Sequence, residues 1–217
     1  MDGTGSPRHI ADRIEELRRA GATPPFDAID FLIECGEPAV RPLIDALDEV
    51  EPDDDDWTPL WIAIALGELR SPDAVPALLR LIALPEGDVL AEAGVEGLAK
   101  IGPAALPAVL DFARGARDWE ARHYAYVVIG LIPGEASFRF LVAALDADPL
   151  LWSPLAMALA DLGDPRALAH LRRILGASHG EEEASIREAI EILEGRRPPY
   201  PKLHQQEWRD RYTAIFA

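Results

Sequence analysis

Apolar residues along this chain recur with the period of a helix, and the recurrence itself repeats. In SPDAVPALLRLI (71–82), Val75, Leu78, Leu79 and Ile82 stand at offsets 0, 3, 4 and 7, one face of an α-helix. Four other segments share the frame: GEPAVRPLIDAL (36–47), IGPAALPAVLDF (101–112), PGEASFRFLVAA (133–144) and GDPRALAHLRRI (163–174). The anchors Val40, Val75, Leu106, Phe138 and Leu168 are 35, 31, 32 and 30 residues apart, a spacing that marks stacked repeats. Ahead of the last four anchors lies a second apolar run: LWIAIALGEL, VLAEAGVEGLAKI, HYAYVVIGLI and PLAMALADLG. A Gly or Pro/Asp turn between the two runs supplies a C-cap to the first helix and an N1 proline to the next. The predicted unit is an antiparallel helical hairpin.

The pattern predicts an all-α chain. An N-terminal helix over 8–20 precedes hairpins over 24–50, 56–84, 88–115, 118–147 and 148–176, with a last helix over 181–194. Residues 1–7 read as a flexible N-terminus, 8–195 as one right-handed α-solenoid of about five hairpins with capping helices, and 196–217 as a tail. One hairpin cannot bury its own apolar face, so neighbours must stack and polar-faced helices must close the ends. The first helix suits that role, with Ile10, Ile14 and Leu17 opposite Arg13, Glu15, Glu16 and Arg18; so does EEEASIREAIEILEG.

Several short matches point to a family pattern, roughly V-R-x-x-A-A-x-A-L-G-x-I-G-D-x-x-A-V-P-x-L. They are Ala121-Arg122 with Ala125, Ala65-Leu66-Gly67, Leu162-Gly163-Asp164 and Ala74-Val75-Pro76. Through them the chain resembles the HEAT-like repeat family, including the short repeats of phycobilisome lyases, over roughly residues 24–195. The resemblance implies a helical-repeat fold. The matching residues pack and cap, so it implies no particular activity. The family's arginine after the first apolar position is kept at Arg122, with Arg187 the one other candidate.

Beyond Gly195 the character changes. RRPPYPKLHQQEWRDRYTAIFA holds five basic residues against Glu207 and Asp210, so 196–217 is net +3 while the remainder is −20. Pro198, Pro199 and Pro201 favour an extended stretch. Trp208, Tyr212 and Ile215/Phe216 then fall on one helical face. Folding back onto the repeats, arginines against acidic surface, would cover that face; docking on another subunit or client is the alternative.

Charge and composition narrow the function. The 217 residues are 49% hydrophobic and 27% charged, with net charge −17. Such a chain repels phosphate backbones and anionic lipid, so nucleic acid and membrane are excluded as expected partners and a basic protein is favoured. No apolar run approaches the ~20 residues that span a bilayer, and MDGTGSPRHI lacks the apolar core of a secretory signal, so a cytoplasmic protein is expected. Cys35 is the one cysteine, expected as a small buried hydrophobe.

Candidate chemistry is sparse. The five histidines form no HxxxH or HExxH pair, and none precedes a glutamate. Deoxyhypusine hydroxylase, an enzyme on the HEAT-like scaffold, holds its irons through His-Glu pairs. His170 and His179 lie near Glu181–Glu183 without fixed ligand spacing, and GxSxG, P-loop and GxGxxG patterns are lacking. Neither metal nor cofactor is expected. Alkylpurine DNA glycosylases of similar fold use a basic groove with aromatics. Trp57, Trp61, Trp119, Tyr124 and Trp152 supply the aromatics here, but the charge has the wrong sign.

What remains is surface. Offsets 1, 2 and 5 from the anchors lie opposite the apolar stripe and bring forward Arg41, Asp45, Arg80, Asp111, Arg139, His170 and Arg173 as candidate binding residues. Alternating signs predict an ion-pair ladder Asp45–Arg80–Asp111 between helices roughly 8–10 Å apart. The expected function is a non-catalytic protein-interaction module or scaffold. The alternatives are an acidic inhibitor or immunity-type protein that captures a basic one, and an enzyme akin to the glycosylases or chromophore lyases. Asp53–Asp56 read as an enlarged turn, acidic because a helix starts there with Thr58 as N-cap and Pro59 at N1; Ser153-Pro154 repeats that signature.

Overall fold

The hairpin frame is present in space. The structure, a computed structural model, describes residues 6–50, 56–84 and 88–215. Among the described residues there are thirteen α-helices and no strand. They are α1 (Pro7–Arg19), α2 (Phe26–Cys35), α3 (Glu37–Asp48), α4 (Thr58–Leu69), α5 (Val75–Leu81), α6 (Asp88–Ile101), α7 (Leu106–Gly115), α8 (Trp119–Leu131), α9 (Glu135–Ala147), α10 (Trp152–Leu162), α11 (Ala167–Leu175), α12 (Gly180–Leu193) and α13 (Trp208–Ile215). The chain divides into two compact units, Met1–Ile101 with Leu203–Ala217, and Gly102–Lys202. Residues 203–217, within the stretch read as a tail that folds back, fall in the first unit.

In the first unit, α2, α4 and α6 stack in sequence, α3 and α5 lie against them, and α1 packs across α2, α3 and α4. Helix α4 is the middle of this stack, and every residue from Thr58 to Gly67 is buried. Its run TPLWIAIALG is apolar all round because it has no solvent face to present. In the second unit, α8, α10 and α12 form the corresponding stack, with α7, α9 and α11 alongside.

The second helices bury offset 3 without exception: Leu43, Leu78, Val109, Leu141 and Leu171. Offset 6 is buried at Ala46, Leu81, Ala144 and Ile174, whereas offset 4 is half-exposed at Leu79, Leu110 and Val142. The buried stripe is therefore centred at offset 3, between each second helix's own partner and the next one in the stack.

Two glycines are required by geometry. Gly36 is the entire connection between α2 and α3, and its φ of 67° is a left-handed conformation that a Cβ resists. Gly130 lies where α8 crosses α10; a Cβ there would stand 2.5 Å from the Ala158 carbonyl oxygen and 2.7 Å from its Cα. The two backbones touch because no side chain intervenes.

Helix starts differ in detail from the sequence reading. Thr58 is the first residue of α4, not its cap; the Asp56 carboxylate accepts a hydrogen bond from the Thr58 N–H at 2.8 Å. Asp56 thus holds the helix start directly, while Asp53–Asp55 lie outside the described residues. Ser153 likewise sits inside α10, which begins at Trp152. Pro59 lies in the first two residues of α4, whereas Pro154 is the third residue of α10, and in neither helix is the polar residue before the proline the cap.

Candidate protein-interaction surfaces

Each second helix packs its offset-3 residue inward; of the candidate binding residues, Arg41, Asp45, Arg80, Asp111, Arg139 and Arg173 are exposed and His170 is half-buried. In the first unit, Arg41 is paired with Asp45 along α3 at 2.7 Å. Arg80 of α5 reaches Asp48, one turn beyond Asp45. In the second unit, Asp111 pairs with Arg114 of its own helix at 2.7 Å. Arg139 pairs with Glu135 at 2.7 Å, and Glu135 also accepts from Arg166 at 2.8 Å. These two guanidinium groups hold the Glu135 carboxyl below its ordinary pKa, Arg166 contributing more. His170 meets the edge of Phe138, ring centroids 6.4 Å apart. Arg173 of α11 pairs with Asp146 of α9 at 2.8 Å.

The Asp45–Arg80 rung read from the sequence is therefore shifted by one turn, Arg80 pairing with Asp48. A different rung takes its place and occurs once in each unit. An offset-5 arginine (Arg80, Arg173) joins an offset-8 aspartate of the preceding second helix (Asp48, Asp146). The long arginine side chain spans the extra turn. Such exposed pairs contribute about 0–1 kcal/mol each.

The larger electrostatic feature of the first unit was not among the candidates. Glu96 and Lys100 lie one turn apart on α6 and pair at 2.6 Å, and Lys100 also binds Glu68 of α4. The second Glu96 oxygen accepts from Arg211 of α13, which reaches Glu92 as well, at 3.2 Å. The Lys100, Glu96 and Arg211 side chains are 5, 7 and 7% exposed, so these charges are paired largely out of water. Beside them Tyr212 is buried, and its hydroxyl pKa is pushed well above the ordinary tyrosine value by burial and then by the Glu96 charge. Trp208 packs at 5.5 Å from Phe26, and Arg209 lies over the Phe26 ring at 5.1 Å while pairing with Asp30. A sequence signal existed: Glu96 and Lys100 are an i,i+4 pair within the otherwise apolar AGVEGLAKI.

In the second unit Arg122, the residue that matches the family's arginine, joins two turns. Its Nε donates to Asp148 at 2.6 Å, and its NH1 to the carbonyls of Ala116, Arg117 and Asp118. It thereby ties the turn before α8 to the end of α9. Tyr126 donates to the same Asp148 oxygen at 3.1 Å. Burial, and after it the Asp148 charge, pushes the Tyr126 hydroxyl up to about 12.

The aromatics singled out for base stacking are largely occupied. Trp61 is fully buried and donates to the Gly21 carbonyl at 3.0 Å; Trp152 donates to Leu145 at 2.7 Å. Trp119 is exposed. Cys35 ends α2 half-buried, and burial pushes its thiol pKa up, away from a reactive thiolate. Among the described residues no group of three His, Cys, Asp or Glu is placed to hold a metal, and no single helix is long and apolar enough to cross a membrane.

The charge is unevenly divided. Residues 1–101 hold 22 acidic and 8 basic residues and 203–217 two of each, so the first unit is net −14. Residues 102–202 hold 14 acidic and 11 basic, net −3.

Comparison with known families agrees with the hairpin geometry. The family described as HEAT repeats matches residues 106–193, and the PBS lyase HEAT-like repeat matches residues 59–83. No curated protein matches the chain significantly. Both matches, with the recurrent hairpins and stacked first helices, make this chain a member of the HEAT-like repeat family.

Proposed function

We propose that the chain is a non-catalytic protein-binding scaffold whose first unit takes a basic partner. The observation that carries this reading is the uneven charge: −14 of the −17 lies in the first unit. On its second helices the exposed carboxylates Asp45 and Asp48 are held in place by Arg41 and Arg80 on a backbone fixed by core packing. A pre-formed surface binds with little ordering cost, and concentrated charge of one sign speeds encounter with its opposite. Capture of a basic toxin or enzyme is the same chemistry in a narrower role. A cytoplasmic setting, away from nucleic acid and membrane, fits this charge.

The test is retention of proteins from the native host on the immobilised chain at 50 and 300 mM salt. The expected result is a basic partner released steeply as salt rises and lost from the Asp45→Lys/Asp48→Lys double variant. Retention insensitive to both salt and substitution would overturn the reading.

A further inference from the structure

Residues 203–215 sit on the first unit in the manner of a bound peptide. They arrive through 195–202, a stretch outside any helix that includes Pro198, Pro199 and Pro201, exposed as far as Pro201 and ending at half-buried Lys202, which donates to the Asp161 carbonyl. Helix α13 has eight residues, too few to be stable alone in water. Its inward groups are two aromatics, Trp208 and Tyr212, and two arginines, Arg209 and Arg211. Opposite them the first unit supplies Asp30, Glu92 and Glu96, with Lys100 held between Glu96 and Glu68 behind. This face carries a surplus of carboxylate beside the Phe26 ring even when its own lysine is counted. Arginine suits it: the guanidinium forks across two carboxylates, as Arg211 does with Glu92 and Glu96, and stacks on an aromatic, as Arg209 does with Phe26.

We propose that this face of α2 and α6 is a receptor for a short helix of a partner protein bearing an aromatic, two arginines two residues apart and a second aromatic. The chain's own Trp208-Arg209-Asp210-Arg211-Tyr212 is its resident ligand. The proposal rests on the reading of the chain as a protein-binding scaffold. A tethered tail acts at an effective concentration of about a millimolar, so only a partner helix that binds more tightly than the tail, or is abundant, displaces it. Displacement releases residues 203–217, whose two arginines balance Glu207 and Asp210. Weak helices of similar pattern are refused.

The experiment keeps every residue present. A protease site is placed within 196–199 of the full chain, which is folded and then cut, and a fluorescent synthetic peptide of residues 203–217 is the probe. The labelled peptide is expected to exchange into the cut protein with micromolar affinity and to bind the uncut chain at least about tenfold more weakly, because the tethered tail competes. Raising NaCl from 50 to 500 mM should weaken binding several-fold, and a peptide carrying Arg211→Glu should not bind. Absence of exchange while the cut protein keeps its tryptophan fluorescence overturns the proposal, making the tail an integral part of the core. Equal binding of the Arg211→Glu peptide overturns it too. In sedimentation the uncut chain should stay monomeric; a dimer growing with concentration would identify a second copy's tail as the occupant and sink the partner assignment. None of these failures touches salt-sensitive capture through Asp45 and Asp48, which has its own variant.

Discussion

Arg211 meets Glu96 across 115 residues of sequence, and both side chains are almost wholly buried. Removing one member of such a pair strands the other away from water. Arg211→Ala is expected to lower unfolding free energy by about 3 kcal/mol. Lys100 still holds one Glu96 oxygen, which keeps the loss from being larger. Arg41→Ala, which breaks an exposed pair along α3, should cost about 0.5 kcal/mol or less. Urea unfolding of the two variants side by side measures the contrast. Equal effects would mean the Glu96 network is no more sheltered than the surface.

Gly130 and Gly115 are both helical glycines, yet alanine should act on them with opposite sign. Helix propensity alone favours alanine by about 1 kcal/mol. At Gly115, where a Cβ meets nothing within 4 Å, that gain should appear as a small stabilisation. At Gly130 the new methyl runs into the Ala158 backbone, which cannot rotate aside, and α8 must part from α10. Gly130→Ala is expected to destabilise by about 1–3 kcal/mol. Thermal unfolding of both variants tests the pair.

These contrasts show what was legible in the sequence. The hairpin period was, because each second helix buries the same offset and two first-helix crossings, Gly67 on Gly97 and Gly130 on Ala158, need small residues. The rungs were misjudged by one turn. Arg80 and Arg173 were visible, but a heptad-like count cannot show that an arginine leans past offset 5 to offset 8. The docking face was not legible. Trp208 and Tyr212 read as one helical face with Ile215/Phe216 and the arginines as groups to meet acidic surface, whereas Asp30 and Glu96, 179 and 115 residues from Arg209 and Arg211, look like ordinary helix acids. Pairing over such distances is set by how the hairpins stack, which no local pattern encodes.

Arg70 is the one non-glycine residue with positive φ among the described residues, at 53°, closing α4. An L-residue in this conformation costs about 1–2 kcal/mol, part of which glycine returns through the greater entropy of its unfolded chain. Arg70→Gly is expected to stabilise the protein by about 0.5–1 kcal/mol. A rise in Tm of a few degrees would confirm that the left-handed cap is the weak point of α4; a fall would mean the arginine side chain does more for the fold than its backbone costs.

Tyr126 gives the fold a defined alkaline limit. Burial and the Asp148 charge raise its hydroxyl pKa to about 12 from an ordinary 10. Between those values the unfolded chain gives up the proton while the folded chain keeps it. The stability Tyr126 contributes is therefore complete below pH 10 and is lost as pH rises from 10 towards 12. Tyr126→Phe removes that proton and should flatten the part of the alkaline decline that Tyr126 causes. It also leaves Asp148 bound to Arg122 alone, so the variant should be somewhat less stable at neutral pH. Unfolding free energies at pH 8, 10 and 11, with tyrosinate absorbance followed in parallel, measure both effects. A variant whose stability falls between pH 10 and 11 as steeply as the parent's would show that the Tyr126 hydroxyl is not what limits the fold in alkali.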